Sequence, residues 1–110
     1  MDLSNRVAMV TGAAQGIGKA TALVLAKYGA NIVATDVKEE KVKQTVAAVQ
    51  TLGRQVMVLS MDVSIKQQVV KCVEIALQHF GKIDILVNAA GICPSAMLMD
   101  LEETVWDQVI

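Results

Sequence analysis

Thr11-Gly12-Ala13-Ala14-Gln15-Gly16-Ile17-Gly18 decides how this 110-residue chain is read. The stretch stands between a short apolar run, Arg6–Val10, and a helical pattern over Gly16–Tyr28. Gly12 suits a tight turn as the chain leaves a strand. Gly16 has no Cβ, so its backbone can be approached closely. Gly18 lets the following helix lie against the sheet. The first N–H groups of a helix have no partner within it, and together they carry about half a positive charge. A strand, a bare turn and a helix start in this order form a cradle for a diphosphate. A tight turn with no ligand is the plainer alternative. Its weakness is that three glycines and two alanines fall within eight residues at this one junction. The spacing is G-x-x-x-G-x-G. A mononucleotide P-loop would need glycine at position 13 and Ser or Thr at position 20, where Ala13 and Ala20 stand. Lys19 then reads as a solvated residue of the first helical turn.

Outward from this turn, strand-like and helix-like segments alternate. Further apolar runs cover Ile32–Thr35, Val56–Ser60 and Ile83–Asn88. All are continuous rather than alternating, the mark of strands covered on both faces in a parallel sheet. The first helix carries Ile17, Thr21, Val24 and Tyr28 on one stripe. A second, Lys38–Leu52, carries Val42, Val46 and Val49. A third, Ser64–Phe80, carries Val69, Val73, Leu77 and Phe80 and opens on a capping-box pattern, Ser64-Ile65-Lys66-Gln67. Gly29, Gly53 and Gly81 follow the three helices as stops. A fourth helix is expected to begin near Asp100–Glu103 and to be unfinished at Ile110. The reading is an α/β fold: a Rossmann-type doubly wound parallel sheet, βαβαβαβ plus the start of a fourth helix, in three α/β/α layers. Residues 1–110 form one domain in this reading.

Asp36 ends the second strand, eighteen positions after Gly18. That is close to the ~20 expected of the acid that accepts hydrogen bonds from an adenosine ribose. A carboxylate here faces the 2′-phosphate of NADP. Two like charges ~4 Å apart repel by on the order of 4 kcal/mol at an effective dielectric near 20. Val37 follows and Ala13, Ala14 and Gln15 precede, so Lys38 is the one doubtful cation nearby. NAD is therefore expected over NADP. The competing role for Asp36 is an N-cap of the second helix, and the two roles are compatible.

These residues closely resemble the short-chain dehydrogenase/reductase family along the whole chain. Thr11–Gly18 resembles its T-G-x-x-x-G-x-G cofactor turn, and Asp36 the acid of its NAD-preferring members. Asp62-Val63 is similar to the pair that the family uses around the adenine ring. Asn88-Ala89-Ala90-Gly91 resembles its N-N-A-G motif, with Ala89 in place of the second asparagine, so no polar role falls to Ala89. Trp106-Asp107 resembles the start of the family's fourth helix. The cofactor-binding set implied is Gly12, Gln15, Gly16, Ile17, Gly18, Asp36, Asp62, Val63, Asn88, Ala90 and Gly91. Independently of the family, Asp62, Asn88 and Gly91 fall at the carboxyl ends of expected parallel strands, the edge where open α/β sheets bind ligands.

The resemblance implies hydride transfer between a nicotinamide cofactor and an alcohol or carbonyl substrate, assisted by a serine and a Tyr-x-x-x-Lys pair. Tyr28 is the one tyrosine, and Ile32 stands where its lysine would be. The family's catalytic residues fall beyond Ile110, in proteins more than twice this length, so this chain by itself is expected to be inactive. His79, Cys72 and Cys93 form no catalytic or metal-ligand spacing, and no metal site is expected. The other readings are a non-catalytic NAD-binding or regulatory module, and a truncated unit that serves folding or oligomer formation.

Composition bounds the rest. Hydrophobic residues make up 54% and charged residues 19%, which argues against disorder. The net charge of −1 offers no footprint for nucleic acid or an anionic membrane. No apolar run approaches the ~20 residues of a membrane span, and the N-terminal residues lack a signal-peptide core. Two cysteines are too few for a disulfide framework, so a reduced, cytoplasmic setting is expected. The apolar excess, with an open fourth strand, points to a homo-oligomer or a companion segment that covers that edge.

Overall fold

A computed structural model of the chain describes residues 1–14 and 16–89. Gln15, Ala90 and Gly91 of the expected site, and with them Cys93, Pro94, Trp106 and the expected fourth helix, lie outside the described residues. Four parallel strands, β1 (Val7–Thr11), β2 (Asn31–Asp36), β3 (Val56–Ser60) and β4 (Ile85–Asn88), form one sheet in the order β3-β2-β1-β4. The chain moves outward from β1 through β2 to β3, then returns to the other side of β1. The point where the order reverses lies between β1 and β4. This is the Rossmann-type arrangement expected from the alternating pattern.

Alternation along the strands sorts the core into two layers. Ala8, Val10, Ile32 and Ala34 face α1 (Gly16–Lys27) and α2 (Lys43–Thr51), where they meet Ala22, Ala26, Val42 and Val49. Val7, Met9 and Val33 face α3 (Lys66–Phe80) and meet Val69, Cys72, Val73 and Ala76. β1 is buried throughout, and β2 through its middle. β3 and β4 are only partly buried, although their sequences are as apolar, because each has a single strand neighbour among the described residues.

α1 departs most from expectation. The stripe of Ile17, Val24 and Tyr28 faces outward, with Ile17 79% and Val24 50% exposed. The inward face is Gly18, Ala22 and Ala26. Small residues at this spacing let the helix axis approach the sheet closely, and they displace the larger side chains to the outside. α2 and α3 bury the stripes read from sequence: Val42, Val49, Val69 and Val73 are buried, and Val46, Leu77 and Phe80 pack against the two core layers. The second helical pattern is split, with a 3-10 turn over Glu39–Val42 leading into α2.

The capping box at Ser64 does not form. The Ser64 N–H and Oγ both donate to Asp62 Oδ1, at 2.9 and 2.6 Å, so the hydroxyl is drawn back into the preceding turn. Ile65 takes the N-cap position without a side-chain bond, and α3 starts two residues later than expected. β4 likewise starts at Ile85 rather than Ile83, and Asp84 just before it holds the start of β1 from both sides, its N–H donating to the Val7 carbonyl at 2.8 Å. The Val7 N–H donates to Asp84 Oδ2 at 2.8 Å, and Arg6 and Lys82 lie within 3.5 and 3.3 Å of the same carboxylate. At the far end of α3, Gly81 closes the helix in the left-handed region and donates to the Leu77 carbonyl at 2.7 Å.

Candidate functional site

The register brings the expected residues to one edge of the sheet. Thr11 lies opposite Thr35 on one side and Asn88 on the other, while Asp36 lies opposite Ser60. The glycine-rich turn leaves β1 at this edge, and Asp62-Val63 leaves β3 at the same edge after Met61 has donated its N–H to the Asp36 carbonyl at 2.9 Å. Gly12–Ala14, Gly16–Gly18, Asp36, Asp62, Val63 and Asn88 are thus carried to one side of the molecule by four parallel strands.

Two glycines of the turn have separate tasks. Gly18 is buried in α1, and a Cβ on it would overlap the Gly12 carbonyl oxygen and carbon. Helix and turn can touch only because that atom is missing. Gly16 has φ +60°, and a Cβ there would meet no protein atom within 4 Å. Its side faces open space, as a backbone awaiting a ligand requires. The first turn of α1 carries no acidic residue of its own to offset the positive end of the helix. Exposed Ile17 stands beside this opening. A diphosphate group fits this cradle: a helix start whose first amides have no partner within the helix, no carboxylate in the first turn, and space where a side chain would otherwise stand.

The Asp36 carboxylate is tied to the turn rather than to the second helix. Oδ2 accepts the Ala14 N–H at 3.2 Å and Oδ1 the Lys38 N–H at 3.3 Å. The N-cap of the 3-10 turn is Lys38, so the capping role for Asp36 does not materialise. Two carboxylate oxygens offer about four acceptor positions, so two remain for hydroxyl donors. No described residue forms an ion pair with Asp36. Lys19, read as merely solvated, reaches across to α2, and its Nζ donates to Gln44 Oε1 at 3.2 Å.

Asp62 closes the loop after β3. It accepts from Ser64, first through the hydroxyl and then through the N–H, and these bonds hold its carboxyl below the ordinary carboxylate range. Its own N–H donates to Gln68 Oε1 at 2.9 Å. Val63 is partly buried against the layer beneath α3, which leaves only part of its side chain at the edge. Asn88 accepts the Thr11 hydroxyl at 2.7 Å, and the same hydroxyl oxygen receives the Ala89 N–H at 3.1 Å. Thr11 therefore joins β1 to β4 where the strand order reverses. It went unassigned in the sequence reading. The signal available was a hydroxyl at the last position of a strand otherwise wholly apolar. Away from this edge, burial pushes the Cys72 thiol up, consistent with a packed apolar filler. Among the described residues, no helix is long and apolar enough to cross a membrane.

The family model for short chain dehydrogenase matches residues 6–110. A 3-oxoacyl-[acyl-carrier-protein] reductase of Thermotoga maritima is 40% identical over 110 residues, which is all of this chain and 45% of that protein. The chain thus spans less than half the length of this curated relative. A short chain dehydrogenase from Mycobacterium paratuberculosis, solved bound to NAD, superposes with a TM-score of 0.78 at 29% identity, covering 84% of this chain and 39% of that one. A Burkholderia phymatum short chain dehydrogenase/reductase, solved in complex with NAD, gives a TM-score of 0.73 at 35% identity, covering 78% and 31%. On the match to residues 6–110, the chain belongs to the short chain dehydrogenase family.

Proposed function

We propose that this chain is the dinucleotide-binding portion of an NAD-dependent oxidoreductase that moves hydride between a nicotinamide cofactor and an alcohol or carbonyl substrate. The observation that carries the reading is the open, acid-free start of α1 at Gly16, set beside the Asp36 carboxylate at the carboxyl ends of β1 and β2. In this reading Gly12, Gln15, Gly16, Ile17 and Gly18 receive the diphosphate. Asp36 accepts from the adenosine ribose, and Asp62 and Val63 border the adenine. Asn88, Ala90 and Gly91 line the approach to the nicotinamide half. When bound, the cofactor supplies the hydride acceptor or donor. The residues of this chain grip and orient it. Residues 1–110 act as one domain, and the proton-transfer groups of the reaction come from other sequence.

NAD is preferred over NADP because the Asp36 carboxylate, which has no cationic partner among the described residues, repels a 2′-phosphate. The two family members solved with NAD support the choice. The apolar β4 edge supports a homo-oligomer or a covering companion segment. A reduced, cytoplasmic setting accords with the buried thiol of Cys72. The test is titration of the chain with NADH, read as energy transfer from Trp106. The expected result is saturable binding, with NADPH at least about tenfold weaker, the factor that 1.4 kcal/mol of repulsion produces. Equal affinity for the two cofactors defeats the assignment of Asp36, and absence of any binding defeats the reading.

A further inference from the structure

α2 and the 3-10 turn before it turn three valines inward or partly inward, Val42, Val46 and Val49, and α2 adds one hydroxyl, that of Thr45. Thr45 is 0% exposed, on a face where valine would satisfy the apolar pattern. Helical threonines ordinarily return their hydroxyl to the carbonyl four residues back. Thr21 and Thr51 do so, donating to the Ile17 and Ala47 carbonyls at 2.7 and 2.8 Å. Thr45 instead donates across the structure to the Ala13 carbonyl at 2.7 Å.

That carbonyl shares a peptide unit with the Ala14 N–H, which donates to Asp36 Oδ2 at 3.2 Å. One peptide of the glycine-rich turn is thus gripped at both ends, by Thr45 at its oxygen and by Asp36 at its hydrogen. The preceding N–H, that of Ala13, is fixed to the Thr35 carbonyl at 3.0 Å. Without the Thr45 hydroxyl, the Ala13 carbonyl would be a buried acceptor with no donor shown among the described residues. Such a group is costly to leave unmade and recovers part of the loss by rotating its peptide. Rotation would carry the Ala14 N–H away from Asp36.

We propose that Thr45 is a positioning residue for dinucleotide binding: through the Ala13–Ala14 peptide it sets both the diphosphate-binding turn and the Asp36 carboxylate, without touching the ligand. The proposal rests on the reading of the site given above. The ligand class it serves is a nucleotide carrying both a diphosphate and an adenosine ribose.

The experiment is calorimetric titration of the chain with ADP-ribose, for the unsubstituted protein, Thr45→Val, Thr45→Ser, Asp36→Ala and the double variant Thr45→Val/Asp36→Ala. Thr45→Val is expected to raise Kd about tenfold, and Thr45→Ser, which keeps the donor, less than about threefold. In the Asp36→Ala background the same valine substitution is expected to cost only about two- to threefold, because the peptide it frees no longer orders a carboxylate. A purely structural threonine would give equal factors in both backgrounds. Should Thr45→Val not fold, Thr45→Ala carries the same comparison. Equal factors, or a Thr45→Val chain that binds like the unsubstituted one, overturns the positioning role while leaving the proposed function standing. An unsubstituted chain that does not bind ADP-ribose overturns both.

Discussion

Two aspartates hold opposite ends of the same sheet, and they are held differently. At the amino end, Asp84 caps the first N–H of β1 and lies among two cations, Arg6 and Lys82. At the carboxyl end, Asp36 accepts two longer backbone bonds and has no cation beside it among the described residues. Each carboxylate fastens a neighbouring segment, yet only Asp84 has its charge compensated. A charge kept uncompensated beside bare helix-terminal amides is an arrangement for a ligand. A compensated one is an arrangement for stability. The contrast predicts that substitutions at the amino end change folding and spare affinity, and that substitutions at the carboxyl end do the reverse.

The largest effect is the one that breaks this division. Gly18→Ala lies at the ligand end but fails in packing, because the added methyl overlaps the Gly12 backbone. A loss of about 3 kcal/mol in denaturant unfolding is expected, with loss of NADH binding alongside. A variant within about 1 kcal/mol of the parent shows that turn and helix yield more easily than their contact implies. Gly16→Ala is its counterpart. It meets no atom, and its cost is the left-handed backbone, about 1–2 kcal/mol. Its NADH affinity is expected to fall further than that penalty accounts for.

Asp84→Ala sharpens the amino-end half of the contrast. It leaves the Val7 N–H without its acceptor, for about 2 kcal/mol in unfolding free energy. The partly exposed ion pairs to Arg6 and Lys82 add little. Cofactor affinity per folded molecule, from the same titration, is expected to be unchanged. A weakened Kd means that the two ends communicate. Asp36→Ala is expected to do the opposite. NADH binding weakens about tenfold and the NADH/NADPH difference narrows, while unfolding shifts by less than about 1 kcal/mol.

The smallest effect concerns Asp62. Its carboxyl is held low by the Ser64 hydroxyl and N–H, so its contribution to folding is present above the ordinary carboxylate range. That contribution is lost as pH falls through the lowered value. Ser64→Ala removes the larger cause. The Asp62 carboxyl, followed by NMR titration, is expected to rise toward its ordinary value. No change assigns the effect to the backbone bond alone.

The sequence made the strands, the helix stops and the ligand edge legible because each rests on local chemistry. Runs of Val, Ile and Met, a glycine after each helix, and Asp36 at a fixed distance from Gly18 can all be read without knowing any contact. The face of α1 could not be read that way. Hydrophobic stripes are recognised by size, and Ile17, Val24 and Tyr28 are larger than Gly18, Ala22 and Ala26. Where a helix must come close, size is what the interface rejects. The capping box at Ser64 failed for a related reason, since Asp62, two residues earlier, competes for the same hydroxyl. Thr11 and Thr45 were invisible as site residues because their partners are remote in sequence: Asn88 for one, the Ala13 carbonyl for the other.

The inward face of α1 has a further consequence. Gly18, Ala22 and Ala26 possess no side-chain rotamers, so at these three positions the interface between this helix and the sheet contains no adjustable parts. Larger cores absorb an added methylene by hopping rotamers. At Gly18, where the neighbour is the Gly12 backbone, an added methyl can be answered only by moving helix or turn. The height of the helix mouth above the strands is therefore set by backbone van der Waals radii, as a machined spacer sets a gap, and it cannot drift as neighbouring side chains vary. Stepwise change along this face is closed, and variation is driven to the outer side of the helix, where Ile17, Val24 and Tyr28 can be exchanged without altering the gauge.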